Sequence, residues 1–561
     1  MNISRLSVLL LCSASLASLL PLNAASWVIS PGQSLQAAID AASAGDNITV
    51  QSGGYDESIT ITKGLDIRGV GVVSITGTLT ITNTSLPVYL ADLNFGKEGA
   101  TSMTLSGADQ DIRMDRCSLA LQGDFSMTGG EFYGYKNSFS DNVNFNGTAW
   151  TFQRSTVEGD VTVTGASTSK FIASNAKNFS HTGGECTIFQ SDVTITTSVD
   201  VRPQSAKSWI AYSTLGITEV FGASEIVGNH FILNEYEQMD FTFFGSNPGS
   251  NSDSTNEYVI SADPVLAITN SGGLVSARNN IFDYLPVIKL EQVEFKYHSL
   301  TGYAADNQWI VYRYYFDFIP RVGIHVLNGS GLTQVVNNTL YAQGKDQGIL
   351  IAAAPGATEV RNNIVRGSQN GPFTSSTYFD ASGSGLTFTN KPGFFADHAN
   401  LLVTLRAFKN DFARLFYSES LAEYPTMVVS VDQLGSPFGI ECGNAQSVIT
   451  HNFTHSSSPI NGGIQSDNRN GLLTYTNEDI SSSQPYLTSD AAVANQGSAE
   501  LIYNDLDGSL NDIGAYGGHS YDPSGRTTTN PVILSGAVSP LYVKRGGSVT
   551  VDARAAVVAA P

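Results

Sequence analysis

An all-β chain folded as a right-handed parallel β-helix, with a short helix at its N-terminal end and a truncated, Ig-like β segment at its C-terminal end, is what the sequence predicts. Three observations carry that prediction. Gly is abundant (54 residues), charged residues make up only 14%, and β-branched residues recur in runs such as Ile59-Thr60-Ile61-Thr62 and Val161-Thr162-Val163-Thr164, which read as strands between tight turns. From Asp115 a short polar unit returns roughly every 19 residues, as solenoid repeats do: Arg116-Cys117-Ser118, Lys136-Asn137-Ser138, Arg154-Ser155-Thr156, Ser174-Asn175-Ala176, Gln190-Ser191-Asp192, Tyr212-Ser213-Thr214 and Gly228-Asn229-His230. Further on, the unit becomes explicit asparagine pairs at 279–280, 337–338 and 362–363. Asn tolerates the left-handed backbone region, and its amide can bond the Asn of the next turn to form a ladder.

Taking the elements in order, Arg5 followed by the apolar run Leu6 to Leu20 and the small residue Ala24 reads as a secretory signal over residues 1–24. The mature chain is therefore expected to be secreted or displayed on a cell surface. Ser34 to Ala44 spaces Leu35, Ala38, Ile39 and Ala42 on one helical face, suited to plugging the open end of the first coil and hiding strand edges. Asn47 to Val50 opens the first strand, and the β-helix is expected to run over 26–520. Residues 235–270 read as an insertion, and Leu402, Leu405, Phe408, Phe412, Leu415 and Phe416 within 400–424 have helical spacing. Residues 521–535 read as a linker, and 536–561 as the start of an Ig-like domain.

Composition excludes several classes. The net charge of −21 would repel nucleic acid and anionic lipid surfaces, and no run after the signal is long and apolar enough to span a membrane. Beyond Cys12 in the signal, Cys117, Cys186 and Cys442 are odd in number, so neither a disulfide framework nor a zinc site is expected; Cys117 and Cys186 read as small buried hydrophobes.

Trp27-Val28-Ile29, Gly53-Gly54-Tyr55-Asp56-Glu57-Ser58-Ile59 and Leu65-Asp66-Ile67-Arg68-Gly69 resemble the first coils of the pectin-lyase-like superfamily of right-handed β-helix proteins. Ser458 to Gly463 and Asp505 to Gly518 resemble the closing segment of secreted bacterial β-helix proteins. The resemblance covers roughly 26–520 and implies fold more than activity, since the superfamily hosts lyases, hydrolases, esterases, epimerases and adhesins. Residues 150–165 are similar to the pectin methylesterase stretch that ends in a nucleophilic aspartate. Register puts Thr162 at the nucleophile and Asn144 at the acid, and neither can replace a carboxylate, so that esterase activity is not expected.

Two constellations could carry chemistry. Lys289 to Arg321 is the most aromatic and basic neighbourhood, with Arg313, Arg321 and His325 as candidate catalytic groups and Lys296, His298, Trp309, Tyr312, Tyr314 and Tyr315 as a candidate sugar-binding set. Aromatic faces stack on sugar rings, and Arg or Lys can neutralise a uronate. The bland alternative is one row filling the coil interior and the other facing solvent. Asp505, Asp507 and Asp512, with Ser509 and Asn511, present oxygen ligands on a glycine turn, either for a structural Ca²⁺ or as Asx-turns that cap backbone amides without an ion. His451 and His455 lack the glutamate and helix of a zincin. The expected function is a secreted carbohydrate-directed protein that binds or cleaves an extracellular polysaccharide, as a lyase or glycoside hydrolase if catalytic. The alternative is a non-catalytic surface or adhesion protein that uses the β-helix as a scaffold.

Overall fold

The computed structural model describes residues 24–82, 86–96, 103–106, 111–120, 123–201, 206–233, 241–245, 255–260, 263–284, 287–298, 308–319, 321–327, 329–342, 347–353, 356–366, 375–380, 387–389, 427–433, 439–455, 459–477, 479–482, 484–518, 521–522, 524–539 and 550–558. Residues 1–23 of the signal-like segment and the helical pattern at 400–424 lie outside the described residues. The chain divides into two units, 1–138 and 139–561.

In the first unit, Ser26–Ile29 pairs in parallel with Asn47–Tyr55, which pairs with Asp66–Ile75. Asp66–Ile75 is followed across the sheet by Val88–Ala91, Asp111–Asp115 and Glu131–Tyr135. A second row runs Ile59–Ile61, Leu79–Thr82, Met103–Ser106 and Phe125–Thr128. Alternation buries Ile67, Leu90, Met114 and Phe132 and leaves Arg68, Tyr89, Arg113 and Tyr133 between them partly or fully exposed, although Ala91 is buried too. The helix spans Leu35–Ala41, shorter than its apolar spacing predicts, because Ala42 already has extended backbone. Ser34 caps it by accepting from Ala37 N, and the Glu57 carboxylate takes the next amides, Leu35 N and Gln36 N. Asp46 ties this end together: its carboxylate accepts from Ala25 N, Ser43 N and the Trp27 indole. Those bonds, the Ser43 amide first, hold it below the usual carboxylate range.

The second unit repeats three strands at a time. Leu266–Thr269, Leu274–Arg278 and Ile281–Tyr284 pair in parallel, register for register, with Val322–Val326, Leu332–Val336 and Thr339–Ala342. These pair in turn with Gln347–Ile351, Thr358–Arg361 and Ile364–Arg366. Such a long parallel sheet, mated every third strand, is compatible with a parallel β-helix.

One residue per repeat, between the second and third strands, turns left-handed: Arg154, Ala173, Gln190, Tyr212, Gly228, Asn279, Asn337, Asn362, His451 and Asp467, with φ between 47° and 65°. The residue after it is the ladder. Ser155 N donates to Ser174 Oγ, Ser174 N to Ser191 Oγ, and Ser191 N to Ser213 Oγ. Ser213 N then donates to Asn229 Oδ1, and Asn229, Asn280, Asn338, Asn363, Asn452 and Asn468 continue, each of the first five donating both its N–H and its Nδ2 to the next Oδ1 at 2.9–3.1 Å. The expected asparagine ladder is thus present, with serine rungs below it. One repeat sits a residue earlier than its sequence unit: Ala173 takes the corner and Ser174 the rung.

The region 289–325 departs from its expectation. Among the described residues of this region, Val322–Val326 is the part that belongs to the parallel sheet. Val287–His298 and Gln308–Ile319 form an antiparallel pair within a separate sheet ordered 241–245, 255–260, 287–298, 308–319, 427–433, 375–380 and 387–389. The bland reading, in which one row of Tyr312 to Phe318 fills a coil interior, is therefore corrected. Among the described residues, all seven strands come from three excursions, each leaving after a third strand (ending at Leu233, Tyr284 and Arg366) and returning to a first strand.

The C-terminal segments lie on the stack rather than beyond it. The corner side chains act as anchors: Asn279 Nδ2 donates to Ala515 O and Gly517 O, and Asn337 Nδ2 to Asp512 O. Leu473, Tyr475, Ile480, Tyr486, Val493 and Ile513 pack with Ile281, Tyr341, Ile364 and Phe453 in one buried apolar cluster. The expected linker is docked as well, with Gln190 Nε2 on Gly525 O and Thr528 O, and Arg526 on Ser213 O and Thr214 Oγ1. Val532–Ser539 and Thr550–Ala556 form an antiparallel hairpin whose Val532, Leu534, Ala556 and Val558 cover Ile172, Phe189, Ala211 and Val227. Cys117, Cys186 and Cys442 are buried and free, and burial raises the Cys117 thiol to about 12.

Candidate functional site

The second-strand row of the first unit exposes an ordered polar surface between residues 66 and 136. Asp66, Tyr89, Arg113 and Tyr133 are successive register partners in adjacent parallel strands; Arg68, Ala91, Asp115 and Tyr135 form the next column. Parallel pairing therefore lines up an acid, an aromatic, a base and an aromatic at about 4.8 Å per rung. Three ion-pair clusters fix this surface. Arg68 clamps Asp66 through Nε and Nη2, both at 2.8 Å, while its guanidinium lies 4.8 Å from the centre of the Tyr89 ring. Arg113 Nη2 reaches Asp111 at 3.0 Å. Arg116, at a left-handed corner, takes Asp92 in a fork at 2.7 and 2.8 Å and Asp115 at 2.7 Å, and Tyr89 OH donates to the same Asp115 carboxylate at 3.1 Å.

The electrostatics follow. Arg116 holds the Asp92 carboxyl below its usual range, and hydrogen bonding to Asp66 and Asp111 raises Arg68 and Arg113. Burial first, then the Asp115 charge, raises the Tyr89 phenol, so it remains a hydrogen-bond donor at neutral pH. Yet the guanidinium side chains stay 48–59% exposed and Tyr133 is 36% exposed. The sequence carries a signal for this surface in the repeated Asp66-Ile67-Arg68 and Asp111-Ile112-Arg113, in which the apolar middle residue points inward and the charges outward. Composition alone does not mark the stretch, which is neither the most aromatic nor the most basic in the chain.

The residues selected from sequence fall into separate places. Lys296, His298, Trp309, Tyr312, Arg313, Tyr314 and Tyr315 share the antiparallel pair, where Tyr297 registers with Trp309, Glu294 with Tyr312, Val293 with Arg313 and Glu291 with Tyr315. Arg321 is not beside them in that sheet. It is fully buried, and its Nη1 donates to Asp263 O at 2.8 Å, tying the ends of two excursions together. Buried there and bonded to Asp263 O, Arg321 offers its expected catalytic role no support from its position. His325 lies in Val322–Val326, half-buried, and burial lowers its pKa so that it is a neutral imidazole at neutral pH.

The three aspartates do not converge as a calcium cage. Asp507 accepts from Ser509 N and Oγ, Asp505 from Asp512 N and Gly518 N, and Asp512 from Asn495 N. Among the described residues there is no group of three or more His, Cys, Asp or Glu side chains able to hold a metal ion. Asn144 and Thr162 are direct register partners, so the esterase-like positions are adjacent but carry an amide and a hydroxyl. In comparisons with protein-family models, with curated proteins and with solved structures, nothing matches the chain.

Proposed function

We propose that this is a secreted right-handed parallel β-helix protein of the pectin-lyase-like kind, directed at an extracellular polysaccharide, and that it binds its glycan rather than cleaving it. The observation that carries the reading is the Asp66–Tyr89–Arg113–Tyr133 column with its flanking ion pairs. The exposed Tyr133 ring and the partly exposed Tyr89 ring offer surface for sugar C–H groups, and oriented carboxylate and guanidinium groups offer acceptors and donors for hydroxyls, already held by their pairing at little further entropic cost. Cleavage has less support: Arg321 is sealed, the esterase-like positions lack carboxylates, and the closing aspartates are occupied by backbone amides.

The test is affinity electrophoresis of the full secreted chain through gels containing single polysaccharides, alongside an assay for reducing ends and unsaturated products. The expected result is retardation by at least one glycan, with no product, and loss of retardation in Tyr133→Ala. Product release from any of them would overturn the binding reading in favour of a lyase or hydrolase. No retardation by any glycan would leave the scaffold reading.

A further inference from the structure

We infer that the polysaccharide bound on the 66–136 surface is a neutral one bearing free hydroxyls, not a polyuronate. This rests on the binding reading above and on the ion pairing of that surface. Recognition of a uronate needs a guanidinium or ammonium group whose donors are free to meet a carboxylate in a fork. Here each guanidinium already meets one: Arg68 is on Asp66, Arg113 on Asp111, and Arg116 on both Asp92 and Asp115. The surface carries Asp66, Asp92, Asp111, Asp115 and Glu131 against Arg68, Arg113, Arg116 and Lys136, five acids to four bases, on a chain of net charge −21. Lys136 lies 5.3 Å from the centre of the Tyr135 ring, its charge set against an aromatic face. A polyanion approaching this surface meets net repulsion and competes with an internal carboxylate at every arginine.

A neutral chain meets neither obstacle. Each paired carboxylate retains lone pairs, and the pairs lie at the solvent boundary, where a hydroxyl can accept from a guanidinium and donate to its acid simultaneously. Tyr89 and Tyr133, two rungs apart, are separated by roughly 9–10 Å along the column. That span is of the order of a disaccharide, with Arg113 midway to bond the hydroxyls between the two rings.

The experiment uses the full secreted chain in affinity gels of neutral β-glucan, xylan, mannan and galactan against polygalacturonate and alginate, each at low and high salt. The expected result is retardation by a neutral glycan that changes by less than about twofold with salt, is lost in Tyr133→Ala and is kept in Tyr133→Phe, which retains the ring and serves as the folding control. Retardation by polyuronates alone, collapsing at high salt, would overturn the inference while leaving the glycan-binding reading intact. Retardation by nothing would sink both, and equal retardation of Tyr133→Ala by the neutral glycan would remove the site from this surface.

Discussion

The same strand of the repeat, the one just before the left-handed corner, has opposite fates in the two units. At 111–115 and 131–135 the last residues before the corner are Asp115, which pairs with Arg116 and accepts from Tyr89 OH, and Tyr135, with the exposed Arg113 and Tyr133 two positions earlier on the same outward side. At 168–172, 185–189, 208–211 and 224–227 the corresponding last residues before the corner are Ile172, Phe189, Ala211 and Val227, and the C-terminal hairpin covers them. Trp209 beside them is only 6% exposed, with the Arg554 guanidinium 3.8 Å from its ring centre and Arg554 paired to Glu185. Outward composition thus tells which stretch of a solenoid wall is finished and which awaits another part of the chain. An apolar stripe on the outer wall calls for a cover, whereas a self-paired charged one does not.

The contrast can be broken most forcefully at Phe189. Phe189→Ala removes a fully buried ring shared by wall and hairpin, so a loss of about 3–5 kcal/mol is expected in denaturant unfolding. The chain around 531–558 should also become cleavable by protease under native conditions. A loss below about 1 kcal/mol would show that the hairpin is held by its polar contacts alone. Next comes the other cover, pinned where Tyr486 OH donates to the buried Asp283 carboxylate at 2.7 Å. Tyr486→Phe leaves that charge short of a donor, and about 1.5–3 kcal/mol is expected from the same unfolding measurement.

Acid should separate the units. Residues 1–138 contain no histidine, whereas His181 and His230 of the second unit are buried and held neutral, His230 well below its usual range by burial first and then by Arg526. An unfolded chain takes up protons as pH falls through about 6.5, so stability from these residues is complete above that value and declines below it. Hydrogen exchange compared at neutral pH and at about pH 5 should show protection falling in 139–561 before 24–138. Equal loss in both units would refute this. The smallest effect belongs to the open wall: Arg113→Ala should cost less than about 1 kcal/mol, because its pair with Asp111 is exposed. A larger loss in thermal unfolding would mean that the charged columns are structural rather than displayed.

Much of the parallel stack was legible from local pattern. Alternating β-branched runs, Asn337-Asn338 and Asn362-Asn363 spaced by 25 residues, and Ser213 and Asn229 at matching corners all follow from short-range geometry repeated. What could not be read depends on contacts between residues far apart in sequence. Phe189 looks like any core aromatic until Leu534 is found on it, and Arg321 looks like a catalytic cation until Asp263 O is found accepting from it. The antiparallel pair 287–298 and 308–319 was misassigned for a related reason: a β-rich insertion inside a β-rich repeat changes strand partners but not strand composition. Of the open wall, Asp66-Ile67-Arg68 was noticed for its resemblance, but its kinship with Asp111-Ile112-Arg113 becomes meaningful only when pairing aligns Asp66, Tyr89 and Arg113.

The three excursions all leave the stack at one seam, between the third strand of a repeat and the first strand of the next, and together they make a second sheet. The ladder asparagines sit at a different corner, between second and third strands, so lengthening the chain at the seam disturbs none of their bonds. Loop closure adds only about 0.6 kcal/mol for each doubling of length. The seam is therefore where this architecture can evolve by accretion: new segments can be acquired there, tried and discarded, while the wall that carries them keeps its register.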